Sequence, residues 1–310
     1  MAEMRKTGRG AREGAAAEAG ALPADVLTSR DNRWLKEFRV ALRGGLETEN
    51  GFVGVEGARL VEEALGSGCE IEAVLFSESG ERHRERLAPM IGRGEMAFPV
   101  LRTTDRLFEG IADTDHPQGV AALVKPRKVE ITELYESARG ANAPLIVVLA
   151  GVQDSGNVGT ILRTAAAFGA TGAVTSATGQ CGTANPFSPK ALRASAGAAL
   201  HLPIVAGMAL GILLTQLKMN GIHTLASCVE ETQEEKRAGE GPIAPWEVDW
   251  RQAIALLVGN EGAGLPEEVV RGADARIHIP MARGVESLNA AAAAAVLFYE
   301  AYRQRERRKD

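Results

Sequence analysis

The chain has 310 residues, 45% of them hydrophobic and 24% charged, with a formal net charge of −5. This is the composition of a globular protein able to bury one large core or two ordinary ones, two being the better expectation, and it excludes a disordered chain. The negative balance excludes a protein that coats nucleic acid by bulk charge, while leaving room for a local basic face.

Residues 1–24 are rich in Gly and Ala, carry scattered charges and show no apolar periodicity, so they read as a flexible tail. No stretch is long and apolar enough for a membrane span and no signal-peptide core is present, which predicts a soluble, cytoplasmic protein without membrane contact. Cys69, Cys181 and Cys228 form no Cys-x-x-Cys pair and have no histidine at ligand spacing, so they read as reduced thiols and no metal site is expected.

Strand and helix signals then alternate, which predicts α/β architecture. Asn32 to Leu42 reads as a helix, Phe52 to Val55 as a strand, Gly57 to Leu65 as a helix and Ile71 to Phe76 as a strand. Further signals lie at Glu81 to Ile91, Ala97 to Leu101 and Gly119 to Val124. The first helix carries Arg30, Arg33, Lys36, Arg39 and Arg43 interspersed with Asp31 and Glu37, equally a solvated face or an RNA footprint. Lys125-Pro126-Arg127-Lys128 and Gly140 to Pro144 break the pattern and place a domain boundary between 125 and 143.

Leu145 to Leu149 is a continuous apolar run, the mark of a buried parallel strand. A loop from Gly151 to Gly156 leads into a helix from Asn157 to Phe168, and Ala173 to Ser176 is the next strand. Val158, Ile161, Leu162, Ala165 and Phe168 share one helix face, so Arg163 points elsewhere. The loop lacks both the P-loop Lys-Ser/Thr and the Gly-x-Gly-x-x-Gly of a dinucleotide fold. Ile254 to Val258 is another buried strand, followed by Gly259-Asn260-Glu261-Gly262-Ala263-Gly264-Leu265-Pro266, a loop whose glycines allow either close ligand approach or simply a tight turn. Last comes Ile279-Pro280-Met281 as a short buried strand, a loop from Arg283 to Glu286, Ser287-Leu288-Asn289, and a helix-forming run from Ala290 to Ala295. The cations Arg303, Arg305, Arg307, Arg308 and Lys309 read as a solvated helix end in preference to an RNA contact.

Four segments together resemble the SpoU, or TrmH, family of RNA ribose methyltransferases of the SPOUT class. They are Asn157 to Thr164 with Phe168-Gly169, Ser188-Pro189-Lys190 through Gly197, Gly259 to Gly262 with Gly264-Leu265, and Ile279-Pro280-Met281 with Ser287-Leu288-Asn289. Ala290-Ala291 departs from the family, which often has a larger residue and then a hydroxyl there. In the first half, Ser29 to Asn32, Val55-Glu56-Gly57 and His116 to Gly119 look like the substrate-binding domain that often precedes the catalytic one.

The resemblance implies a small, ribosomal-protein-like α/β RNA-binding domain at 25–125, a linker at 126–143 and a SPOUT α/β trefoil-knot methyltransferase domain at 144–310. It implies S-adenosylmethionine as methyl donor, held at Gly259, Asn260, Glu261, Gly264, Ile279, Met281, Leu288 and Asn289. The catalytic set it nominates is Arg163, Asn157, Glu261, Asn289 and Ser287. A guanidinium resists deprotonation, so Arg163 is expected to fix a phosphate and stabilise the developing alkoxide. Asn157 is open between a helix cap and a group arranging Arg163 and the ribose, and Glu261 between a plain loop carboxylate and one orienting Arg163 or the donor. Ser287 suits an N-cap, whereas Asn289 one turn in is harder to explain structurally. Arg193 either meets RNA phosphate or braces its loop. The implied partners are RNA, with rRNA favoured over tRNA, and a second copy of the chain through the knotted domain; a non-catalytic RNA-binding assembly factor is the alternative.

Overall fold

The computed structural model describes residues 26–91, 98–136, 143–177, 182–228, 241–282 and 287–306. The tail, Cys181, the loop from Arg283 to Glu286 and the cations Arg307, Arg308 and Lys309 lie outside the described residues.

The first half runs β1 (Val26–Leu27), α1 (Arg33–Ala41), β2 (Val53–Glu56), α2 (Ala58–Gly66), β3 (Glu70–Ser77), α3 (Arg84–Ile91), β4 (Val100–Thr103), α4 (Asp105–Glu109) and β5 (Val120–Lys125). Its sheet has the order β1-β4-β3-β5-β2, with β5 antiparallel to both neighbours. Asn32 is the cap of the first helix and not its first turn: its side chain accepts the Trp34 amide at 2.9 Å. The Gln118 side chain does the same for α2, accepting from Ala58 N at 2.9 Å.

The segment expected to be a linker holds α5 (Ile131–Glu136), whose Leu134 is fully buried against Ile146 and Val148 of the second sheet. The second half continues with β6 (Leu145–Ala150), α6 (Ser155–Ala167), β7 (Gly172–Ser176), α7 (Pro189–Ala194), α8 (Ala198–His201), β8 (Ile204–Met208), α9 (Leu210–Met219), β9 (His223–Cys228), β10 (Ile254–Gly259), α10 (Glu267–Gly272), β11 (Ala275–His278) and α11 (Ala290–Glu306). All strands of this sheet are parallel, in the order β11-β9-β10-β6-β7-β8. The central pair, β6 and β10, is buried along its whole length, as the uninterrupted apolar runs require. From β6 the chain first builds outward through β7 and β8, then returns to the other side. The switch therefore lies between β6 and β10, and a crevice outside their carboxyl ends is where open α/β sheets bind ligands.

One apolar core joins the halves: Val55, Val61 and Phe76 of the first share a cluster with Val147, Leu162 and Leu200 of the second. Across the seam Arg193 on α7 pairs with Asp113 at 2.6 Å, so it braces the domains together. The Asp113 amide in turn donates to the buried Glu56 carboxylate at 2.8 Å.

Two sequence expectations are corrected here. The last strand ends at His278, short of Ile279-Pro280-Met281, because Pro280 has no N–H for a ladder and stands exposed. The basic helix end is not simply solvated: Arg305 donates to the carbonyls of Trp250 (2.7 Å), Ala143 (2.7 Å), Pro144 (3.2 Å) and Gln252 (2.9 Å). That fork stitches α11 to the strands β6 and β10 where they begin, and Arg303 pairs with Glu300 beside it. Replacing Arg305 with Leu should lower unfolding stability by about 1.5–3 kcal/mol, the worth of charge-assisted hydrogen bonds to backbone carbonyls. Urea denaturation checks this; an unchanged midpoint would show the fork to be dispensable.

Candidate active site

The crevice at the switch point is built by strand ends. β6 ends at Ala150 opposite Gly259, the last residue of β10. Asn260 then donates its Nδ2 to the Gly151 carbonyl at 2.9 Å, tying the two outgoing loops together. Its Oδ1 accepts the amides of Gly262 and Ala263, both at 2.9 Å, and its backbone exchanges two hydrogen bonds with Gly264. The loop is thus folded on itself. A Cβ on Gly259 would lie 2.4 Å from the Gly264 carbonyl carbon, and Gly264 has φ +70°, so tight turning accounts for both glycines.

Closing the loop this way presents Glu261 outward towards α6. Its carboxylate accepts the Asn157 Nδ2 at 2.9 Å and the backbone amides of Gln153 and Asp154, each at 3.2 Å. Burial acts to raise its pKa, but these donors outweigh it and hold the carboxyl below its ordinary value of 4.5. Asn157 passes the link on, since its Oδ1 accepts the Asn289 Nδ2 at 3.1 Å. Asn289 in turn accepts the amides of Ala291 (2.9 Å) and Ala292 (3.3 Å). The loop after β10, the start of α6 and the start of α11 are therefore joined by one hydrogen-bonded chain, Glu261–Asn157–Asn289.

Beside that chain lies a cleft of about 690 Å³ including its open mouth, at the carboxyl ends of β9, β10 and β11. Gly259, Glu261, Ile279, Met281, Ser287 and Leu288 line it, over apolar Val258, Ile277 and Leu297.

The chain matches the SpoU rRNA methylase family over residues 144–299 and an MRM3-like substrate-binding domain over residues 47–122. The chain belongs to the SpoU rRNA methylase family. It is 32% identical to an uncharacterised tRNA/rRNA methyltransferase of Synechocystis over 90% of this chain and 93% of the relative. It is 28% identical to the 23S rRNA (guanosine(2553)-2'-O)-methyltransferase RlmP of Bacillus subtilis, covering 88% of this chain and 97% of that one. Among solved structures, an rRNA methyltransferase from Sinorhizobium meliloti superposes with TM-score 0.73 at 28% identity, over 90% of this chain and 98% of the other. The AdoMet-bound form of that enzyme gives 0.72.

As a SpoU methylase the protein is an S-adenosylmethionine-dependent RNA methyltransferase. The cleft fits the donor. Its floor is apolar, an anionic carboxylate stands at its rim, and the Nδ1 of half-buried His278 on its wall is buried without a hydrogen-bond partner. Among the described residues no cluster of His, Cys, Asp and Glu is arranged to hold a metal, and no helix is long and apolar enough to cross a membrane.

Other parts of the sequence reading change. The α6 helix starts at Ser155, two residues before Asn157, and its cap is Asp154, whose Oδ1 accepts the Asn157 amide at 2.9 Å. Asn157 is thereby freed for the side-chain link. Asn289, which looked one turn inside its helix, is itself the residue capping α11, whereas Ser287 lies exposed before it on the cleft wall. Glu261 has its carboxylate on Asn157 and the loop amides, with no bond to Arg163. Arg163 lies on the exposed side of α6, six residues beyond Asn157 and so about 9 Å further along the axis. Within one chain the structure thus unites Glu261, Asn157 and Asn289 but does not bring Arg163 to them.

Sequence reasoning missed Asp154, Lys190, Cys228 and His278. Lys190 bonds Asp154 at 2.6 Å and, with the Asn157 amide, pulls that carboxyl below its ordinary range. Cys228 and His278 line the cleft, although nothing in their sequence neighbourhood marks them. Asp154 did carry a signal, an acidic residue just before a helix, which Gly156 obscured by lowering the helical propensity of the first turn.

Because the folded pKa of Glu261 is depressed, its contribution to stability is present above the unfolded value near 4.5 and is lost as pH falls through the lower folded value. Glu261→Gln should flatten the acid side of the stability profile below about pH 5 and weaken donor binding at pH 7. Denaturation midpoints against pH, with calorimetric donor titration, check both; an unaltered acid limb would remove the carboxylate from this role.

Proposed function

We propose that this SpoU methylase transfers the methyl of S-adenosylmethionine to a ribose 2'-hydroxyl of large-subunit rRNA, with the donor in the cleft between Glu261 and Leu288. The observation carrying this reading is the Glu261–Asn157–Asn289 chain, which joins the loop after β10 and the starts of α6 and α11 beside one cleft at the carboxyl ends of β9, β10 and β11. The preceding substrate-binding domain and the 23S rRNA relatives support rRNA over tRNA as acceptor.

The donor supplies an electrophilic methyl on a sulfonium, so the protein's task is positioning and assisting loss of the hydroxyl proton. Gly259, Asn260, Glu261, Gly264, Ile279, Met281, Leu288 and Asn289 hold the donor. Glu261 complements its positive charge, and Ser287 sits on the wall where the acceptor enters. Arg163, with no hydrogen-bond or ion-pair partner among the described residues, fixes a phosphate of the target nucleotide and stabilises the developing alkoxide.

Arg163 stands about 9 Å along α6 from Asn157 and bonds no member of the site within its own chain. The reading therefore includes a homodimer through a trefoil-knotted 144–310 domain, in which each copy completes the other's site. An apolar stripe supports it. Ala292, Val296 (44% exposed) and Tyr299 (55% exposed) run along α11, and Phe168 packs edge-on against Tyr299 with ring centroids 5.8 Å apart.

Arg163→Ala should reduce methyl transfer to unmethylated rRNA by about 10²–10³-fold while leaving donor affinity within about twofold. An active variant would exclude Arg163 from the chemistry. Equal loss of donor binding would instead make it part of the donor site.

A further inference from the structure

A cavity larger than the donor cleft lies elsewhere in the molecule. A space of about 1000 Å³ including its mouth opens at the seam of the two domains, where the β5 end and the chain after it face α8 and the start of β8. Its floor is apolar, formed by Cys69, Phe187, Leu200 and Leu202. Its wall is basic: Lys125, Arg127 and Lys128, from the run that marks the domain boundary in the sequence, all line it.

These charges are only partly answered locally. Lys125 lies 3.9 Å from Glu70 on the rim and over the Phe52 ring, and Arg127 bonds Glu133. His201, also on the lining, faces Glu63 at 3.2 Å. Lys128 is exposed with no partner among the described residues. Both ion pairs are solvent-exposed and so weak, which leaves the wall with Lys128 unanswered and with Lys125 and Arg127 in pairs that a polyanion's phosphates can exchange into.

The position is informative as well. The donor cleft lies at the carboxyl ends of β9, β10 and β11, whereas this cavity lies at the amino end of β8, the opposite edge strand. With strands about 4.8 Å apart and rising about 3.3 Å per residue, the two sites are separated by roughly 25 Å. That corresponds to on the order of seven stacked nucleotides at about 3.4 Å each, beyond the reach of a free nucleotide in the donor cleft.

We propose that this interdomain cavity is a second RNA-binding site, taking a nucleotide of the rRNA acceptor distant from the methylated ribose, its phosphate on the Arg127–Lys128 wall and its base or sugar on the apolar floor. This rests on the rRNA methyltransferase reading. It makes recognition bipartite: both domains grip one RNA, and short RNAs that fill only the donor-side site bind without it.

The test is binding of an unmethylated large-subunit rRNA transcript over a series of KCl concentrations. The full-length wild type is compared with the double variant Arg127→Ala/Lys128→Ala and with a control, Lys218→Ala/Arg271→Ala, on the exposed faces of α9 and α10. The cavity variant should lose about 1.4–1.8 from the slope of log K against log salt, the loss expected for two phosphate contacts, with donor affinity unchanged. The control should keep its slope. Unchanged binding by the cavity variant, or an equal loss in the control, would overturn the proposal while wild-type methyl transfer to the same transcript kept the function intact. A wild type that neither bound nor methylated the transcript would overturn both readings.

Discussion

The site depends on one carboxylate. Glu261 collects donors from the start of α6, and through Asn157 it reaches Asn289 at the start of α11, so three segments distant in sequence share one set of hydrogen bonds. Each partner has its own local job as well. Asn289 caps a helix, Asn260 closes a turn, and Asp154 caps α6 so that Asn157 is left free. Removing a member would disturb a loop and the link between loops together, and such networks are worth more than the sum of their pairs. On the proposed reading the geometry also suits the chemistry: a carboxylate fixed by three hydrogen-bond donors would offer a preset anion to a cationic methyl donor without reorganising at the moment of transfer.

The two domains act as one body in this structure because a continuous core and the Arg193–Asp113 pair cross their seam. An acidic protein that handles RNA has to concentrate its cations where the RNA lies. At the seam Lys125, Arg127 and Lys128 line one cavity. Rigid docking and a local basic wall together favour recognition of a folded RNA by shape over a sequence code.

Much of this was legible in the sequence. The apolar runs Leu145 to Leu149 and Ile254 to Val258 are buried central strands because only a parallel sheet covered on both sides hides such runs. The residues at the carboxyl ends of those strands, Gly259 to Glu261, proved to line the cleft. Helix starts were less legible. Asn157 and Ser287 looked like caps, whereas Asp154 and Asn289 hold those positions, because several Asx and Ser residues near a boundary compete and backbone geometry decides between them. Long-range roles were not legible at all. Nothing local to Arg305 announces four carbonyls from two other segments, and Leu134 lies in a stretch that reads as linker until α5 is seen against the second sheet.

The most direct measurement is a crystal structure of the protein with S-adenosylhomocysteine, the product of methyl transfer. Density is expected in the cleft between Gly259, Ile279 and Leu288, with the Glu261–Asn157–Asn289 chain intact beside it and a second copy's α6 bringing its Arg163 to the cleft mouth. Ligand density elsewhere, or a loaded cleft with that chain broken, would contradict the assignment of Glu261 as the group that organises the site.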